Sequence, residues 1–180
     1  MNDNRYCSCC MNGCDCQPCC FVGPRGPRGP IGPTGPGYLP VTGTLSGDNQ
    51  IIELPSGNIE RQVALPQAVF PAQFVEYATN SIRILQTGYY VVSYYVQGAT
   101  NPAAVWYAYG KLNGVFTPLL DDRNYNPVAK NVTLRGESVM YLHAGDTLTL
   151  FVNADTATTL TIRDVGGAQL TVTRIPLAKG

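Results

Sequence analysis

Seven cysteines lie within the first twenty residues of this chain: Cys7, Cys9, Cys10, Cys14, Cys16, Cys19 and Cys20, spaced C-x-C-C-x3-C-x-C-x2-C-C. Thiols can cross-link, hold a metal or act as nucleophiles, and the spacing weighs these against one another. An odd number leaves at least one thiol per chain for a partner if the rest pair internally. The adjacent pairs Cys9-Cys10 and Cys19-Cys20 suit cross-links to different chains better than to each other. Covalent anchoring is therefore the first reading. Zinc binding is the second, because tetrahedral thiolate sites tolerate close spacing. Against it, the usual pair of C-x2-C knuckles separated by a longer loop is missing, no histidine lies nearby, and no metal site is assigned. A third reading is a disordered tail with incidental thiols. His143 is the single histidine, set in a strand beside a turn, where an edge or capping role fits better than catalysis. No Ser, His and Asp arrangement has a recognisable spacing, so neither an enzyme nor a cofactor is expected. Asp121 and Asp122 in "LDDRNYN" could bind a cation, although such a pair more often marks a solvated turn.

The whole chain sets limits on these readings. It has 180 residues, twelve basic against twelve acidic, and only 13% charged residues. No basic excess marks a nucleic-acid or membrane-surface footprint. The 11 tyrosines, with abundant threonine, valine and leucine, are the composition of a β protein. The start, MNDNRYC, lacks a basic segment followed by an apolar run. No stretch approaches the roughly 20 apolar residues of a membrane helix. The expectation is a chain made in a cytoplasm that does not span a bilayer. Since structural disulfides are rare in reducing compartments, cross-linking cysteines require that the protein end up somewhere oxidising.

Residues 1–22, the cysteine-rich tail, contain almost nothing that could form a core. Residues 23–37 read GPR-GPR-GPI-GPT-GPG, with Gly23, Gly26, Gly29, Gly32 and Gly35 in strict period three. Three polyproline-II strands intertwine only where every third residue is glycine, because nothing larger fits at the axis. Five triplets rise roughly 45 Å at ~3.1 Å per residue, too short a stalk to hold three chains together alone. A trimeriser must lie next to it. A single-chain proline-rich linker is the plainer alternative.

Residues 38–180 are the size of one domain and carry repeated period-two runs. "TLTLFVN" (147–153) sets Leu148, Leu150 and Val152 on one face. "TTLTIRD" (158–164) buries Leu160 and Ile162, and "AQLTVTRI" (168–175) points Leu170 and Val172 inward. Further strands are predicted at 51–54, 61–65, 82–86, 89–97, 104–112 and 137–143. Turn signals separate them at Thr87-Gly88, Asn113-Gly114, Ala144-Gly145-Asp146 and Gly166-Gly167. No convincing helix is present. Many short strands at even spacing predict an all-β sandwich or jelly roll. Two strands, YYVVSYYVQ and AVWYAYGKL, are apolar on both faces. One face can fill the sandwich; the other needs a second subunit. Tyr89, Tyr95, Tyr107 and Tyr109 are the candidate trimer contacts.

"TGYYVVSYYV" (87–96) followed by "LHAGDTLTLFV" (142–152) resembles the paired signatures of the trimeric jelly roll shared by tumour necrosis factor (TNF) and the complement globular heads. With a Gly-Pro-Thr-containing stalk ahead and "AQLTVTRI" at the end, the chain is similar, more narrowly, to the BclA-type collagen-like proteins of bacterial spore surfaces. The resemblance covers residues 23–180. It implies a homotrimeric TNF-like jelly-roll head on a collagen-like stalk, located on the exosporium or an endospore appendage. Such proteins are made in the mother cell and become exterior when it lyses, which reconciles cysteines with a missing signal. The resemblance also implies O-linked sugar on Thr34. The function expected is a structural fibre subunit, disulfide-linked through its tail to a surface protein, with adhesion by three heads acting together. The alternative is a lectin-like or receptor-binding tip that recognises a glycan or surface ligand; a filament whose tail docks on the next trimer is a third arrangement.

Overall fold

The computed structural model describes Gly26, Gly29 and residues 42–123, 131–163 and 166–176. The chain divides into two units, Met1–Gly37 and Tyr38–Gly180. The described residues of the second unit are all-β: β1 (Thr42–Gly47), β2 (Ile51–Leu54), β3 (Arg61–Gln62), β4 (Gln67–Ala68), β5 (Val75–Ala78), β6 (Ser81–Ile84), β7 (Gly88–Asn101), β8 (Trp106–Leu112), β9 (Val115–Arg123), β10 (Val132–Leu142), β11 (Thr147–Ala154), β12 (Thr158–Ile162) and β13 (Ala168–Arg174).

These strands form two antiparallel sheets. The first has the order β2-β12-β7-β13-β1-β4, with β10 also paired to β7. The long strand β7 is its spine. β10 pairs along β7 from Gly88 to Gly98, while β13 pairs with Tyr90–Val96 and β12 continues along Gly98–Asn101. Between β12 and β13, Arg163 and Gly167 both bond the single residue Gln97, whose amide donates to Gly167 O and whose carbonyl accepts from Arg163 N. β12 and β13 run in the same direction along β7, so the Gly166-Gly167 signal does not mark a hairpin between them. The second sheet has the order β5-β6-β11-β8-β9, with β3 beside β11.

Period-two alternation explains the packing. In β7, Tyr90, Val92, Tyr94 and Val96 are buried while their neighbours face out. In β11, Leu148, Leu150 and Val152 close the core from the opposite sheet, and Trp106 and Leu120 are fully buried with them. Tyr94 spans the sandwich: its hydroxyl donates to Ala108 O of β8 at 2.6 Å. Burial, with Asp122 and Asp121 close by, raises the Tyr94 pKa, so the phenol stays a neutral donor. Gly136 of β10 lies against that ring, and a Cβ there would stand 2.3 Å from Tyr94 Cε1.

The structure adds strands where turn-forming residues hide them. β1 contains Gly43 and Gly47, which read as turn residues, yet a Cβ on Gly47 would stand 1.9 Å from Ala64 O. These glycines permit close approach rather than a turn. β9 contains Pro118 and, just before its last residue, the acidic pair read as a solvated turn. Asp121 and Asp122 lie in that strand instead, opposite Tyr109 and Ala108. Asn113-Gly114 does make the β8–β9 hairpin turn, with φ of 53° and 78°, the two positive values that a two-residue hairpin demands.

Candidate functional site

The four candidate tyrosines do not share a surface. Tyr89 and Tyr95 are on the outer side of β7 in the first sheet; Tyr107 and Tyr109 are on β8 in the second.

On the first sheet, cross-strand register places Tyr141 opposite Tyr89 and Val139 opposite Val91. The Tyr89 and Tyr141 rings meet edge to face at 5.0 Å. They are nevertheless 44% and 52% exposed, and Val139 is 59% exposed. Such adjacent large side chains on a β-sheet face are an apolar patch open to solvent. The His143 ring stands edge-on to Tyr141 at 5.2 Å and extends the patch to the end of the strand. Sequence reasoning missed Val139 and Tyr141. The signal was present, since β10 alternates Val139 and Tyr141 with Met140 and Leu142, apolar on both sides like β7. Farther along the same face the surface turns polar, where Ser93, Tyr95, Arg135, Glu137, Gln169 and Thr171 line an open groove of about 710 Å³.

β1 begins beside this patch. Thr42 pairs with Thr173, Thr173 with Val91, and Val91 with Val139. The strand by which the chain enters the first sheet thus lies in the same cross-strand row as the apolar patch.

On the second sheet Tyr109 is braced instead of bare. Tyr109 is only 5% exposed. Its ring packs edge-on to Phe116 at 5.3 Å and parallel to Phe151 at 6.4 Å. Its hydroxyl donates to Glu60 Oε2 at 2.8 Å. Glu60 also pairs with Lys111, whose ammonium lies 4.4 Å from the Phe151 ring centre. The Lys111 hydrogen bond holds the Glu60 carboxyl below its ordinary pKa. Burial, then the bond to Glu60, raises that of Tyr109. Asn58, Tyr107, Asp121 and Asn153 complete a depression of about 490 Å³.

Polar residues elsewhere hold turns and edges. His143 N–H donates to Asp146 Oδ2 at 2.8 Å, and Asp146 Oδ1 accepts from Asn113 Nδ2 at 2.8 Å. Burial opposes ionisation of Asp146, but these bonds outweigh it and leave its pKa lowered. The turn uses Gly145 at φ 100°, the left-handed region that glycine tolerates. Asp122 Oδ2 accepts from Arg135 N at 2.9 Å and ties β9 to β10. Among the described residues no three His, Cys, Asp or Glu side chains converge as a metal site, and no helix is long and apolar enough to cross a membrane. Cys7, Cys9, Cys10, Cys14, Cys16, Cys19, Cys20, Gly23, Gly32, Gly35 and Thr34 lie outside the described residues.

Two packed antiparallel sheets, a long strand on the Gly-x-Tyr signature and a Leu-x-x-Gly-Asp turn leading into β11 define the head as an all-β jelly roll of the TNF type. Solved structures agree. Murine APRIL, crystallised at pH 8.5, superposes with a TM-score of 0.58 at 16% identity, covering 76% of this chain and 100% of that one. Murine APRIL at pH 5.0 gives 0.57 at 17% identity with the same coverage. The Eiger TNF of S. frugiperda gives 0.56 at 11% identity, over 79% of this chain and 97% of that chain. No protein-family model matches the sequence, and no curated protein matches it.

Proposed function

We propose that this chain is a structural, non-enzymatic subunit of a fibre on a bacterial spore surface or endospore appendage. Three heads associate through the outer face of the first sheet, around Tyr89, Tyr141 and Val139. The glycine-periodic segment 23–37 winds into a short stalk, and the cysteines of residues 1–22 fix the assembly by disulfides to a surface protein. The head is a ligand-presenting module whose contacts act three at a time.

The observation that carries this reading is the exposed aromatic patch. A monomer gains nothing by holding two tyrosines and a valine half in water on one sheet face, whereas a second and third copy would bury them. Roughly 1.5–3 kcal/mol per fully buried large apolar side chain makes the patch able to drive association. Gly26 and Gly29 are exposed, and nothing among the described residues stands within 4 Å of a Cβ built at either. The strict three-residue period of glycine over residues 23–37 is what packing of three chains about one axis requires.

The test is biochemical. Immunogold labelling locates the chain on intact spores or their appendages, and extracts are run on gels with and without reductant. The expected result is surface label with a band that falls to monomer mass only after reduction. Absence from spores, or extraction as free monomer without reductant, overturns the anchoring and location.

A further inference from the structure

The depression on the second sheet lies on the side of the sandwich away from the Tyr89–Tyr141 patch. We propose that it binds a neutral saccharide, a second activity of the head beyond holding three chains in register.

The walls are aromatic. Phe116 is 45% exposed and stands edge-on to Tyr109, with Tyr107 on the same outer face of β8. An aromatic face open to water beside polar groups matches a pyranose ring, which offers C–H bonds on its faces and hydroxyls around its rim. The polar groups also suit that rim. Asn58, Glu60, Lys111, Asp121 and Asn153 give both donors and acceptors. The Asn153 Oδ1 is buried without a hydrogen-bond partner among the described residues, and a carboxamide in that state gains by turning to a ligand hydroxyl.

Charge narrows the ligand class. Lys111 is held by Glu60 and by the face of Phe151. With its charge already engaged, Lys111, the one basic residue in the described lining, has little to offer a phosphorylated, sulfated or sialylated ligand. The groups come from four stretches of chain: the loop before β3, then β8, β9 and β11. The Tyr109–Glu60–Lys111 bonds join two of them, so little ordering remains to be done on binding. A volume of about 490 Å³ lies within the roughly 300–1,000 Å³ range of small-molecule sites and has room for one or two sugar rings. In the proposed trimer the three sites face outward, and three weak contacts reinforce one another on a repetitive glycan surface.

The full-length chain is applied to an array of neutral saccharides (glucose, galactose, mannose and N-acetylglucosamine with their short oligomers) alongside anionic glycans and unglycosylated peptides. Saturation-transfer NMR on the same chain reads contact to the sugar C–H protons. The expected result is binding to at least one neutral class, with saturation strongest on one ring face. Phe116→Ala and Asn153→Ala each weaken it by about tenfold, the scale of one lost contact, with no change in solution mass. Phe116 is a surface residue, so its variant folds as the parent does. The proposal is overturned by binding confined to anionic glycans or peptides. It is equally overturned by no neutral binding up to about 10 mM, weaker than a useful single-site contact, or by neutral binding that both variants retain. A monomeric chain that still bound neutral sugar would remove the trimer and leave this site standing.

Discussion

The two outer faces of the sandwich use tyrosine in opposite ways. On the first sheet, Tyr89 and Tyr141 touch each other and are left about half in water beside Val139. On the second, Tyr109 is buried beneath Phe116, stacked on Phe151 and hydrogen-bonded to a Glu60 that Lys111 neutralises. The first arrangement is unfinished as a monomer surface and asks for flat apolar cover. In the second, the Tyr109 ring and hydroxyl are already provided for, and the face presents a shaped, polar-rimmed hollow. The contrast shows that aromatic content alone does not mark an interface. What distinguishes the faces is whether the ring and its hydroxyl are already provided for by their own chain.

Several substitutions break or sharpen that contrast. The largest effect is expected from Tyr89→Ser with Tyr141→Ser. Removing two central aromatics from each copy of a symmetric interface costs about 2 kcal/mol or more apiece at hot-spot positions. Size-exclusion with light scattering should read one chain instead of three, with the β-sheet circular dichroism kept. Tyr107→Ser, on the other face, should leave the mass unchanged. Next comes Gly136→Ala, which pushes a methyl group into the Tyr94 ring from the inner side of β10. Overpacking of this kind costs roughly 1–3 kcal/mol and should appear as a lower urea midpoint.

A smaller effect follows from Tyr109→Phe, which deletes the bond to Glu60 while keeping the ring. About 1 kcal/mol of stability is at stake, without loss of association. The smallest concerns pH. The folded-state pKa of Glu60 is lowered, so its contribution is present above the unfolded carboxylate value and is lost as pH falls through the folded one. Native chain and Glu60→Gln should therefore differ in urea midpoint at neutral pH, begin to converge as pH falls through about 4, the ordinary Glu range, and meet only below the lowered folded-state value.

Much of the fold is legible in the sequence because period two is a local property. β7, β11, β12 and β13 declare themselves by alternation, and Asn113-Gly114 declares its hairpin. β1 and β9 do not. Gly43, Gly47 and Pro118 look like breakers unless the neighbour that needs the space is known, as Ala64 is for Gly47. The site is legible only in part, for the same reason. Doubly apolar strands announce that some face is uncovered, but not which sheet a strand joins. β8 reaches its sheet through β11, more than thirty residues later in the chain, so Tyr107 and Tyr109 cannot be told apart from Tyr89 and Tyr95 by pattern. Glu60, 49 residues before the tyrosine it binds, leaves no local trace at all.

The central claim is that the exposed aromatic face of the first sheet brings three chains together. The most direct measurement is the absolute mass of the full-length chain by light scattering in reductant, at micromolar concentration, so that no disulfide contributes. The account predicts about 58 kDa, three times the 19.4 kDa of one chain. A sharp, well-folded species at the mass of a single chain would contradict it.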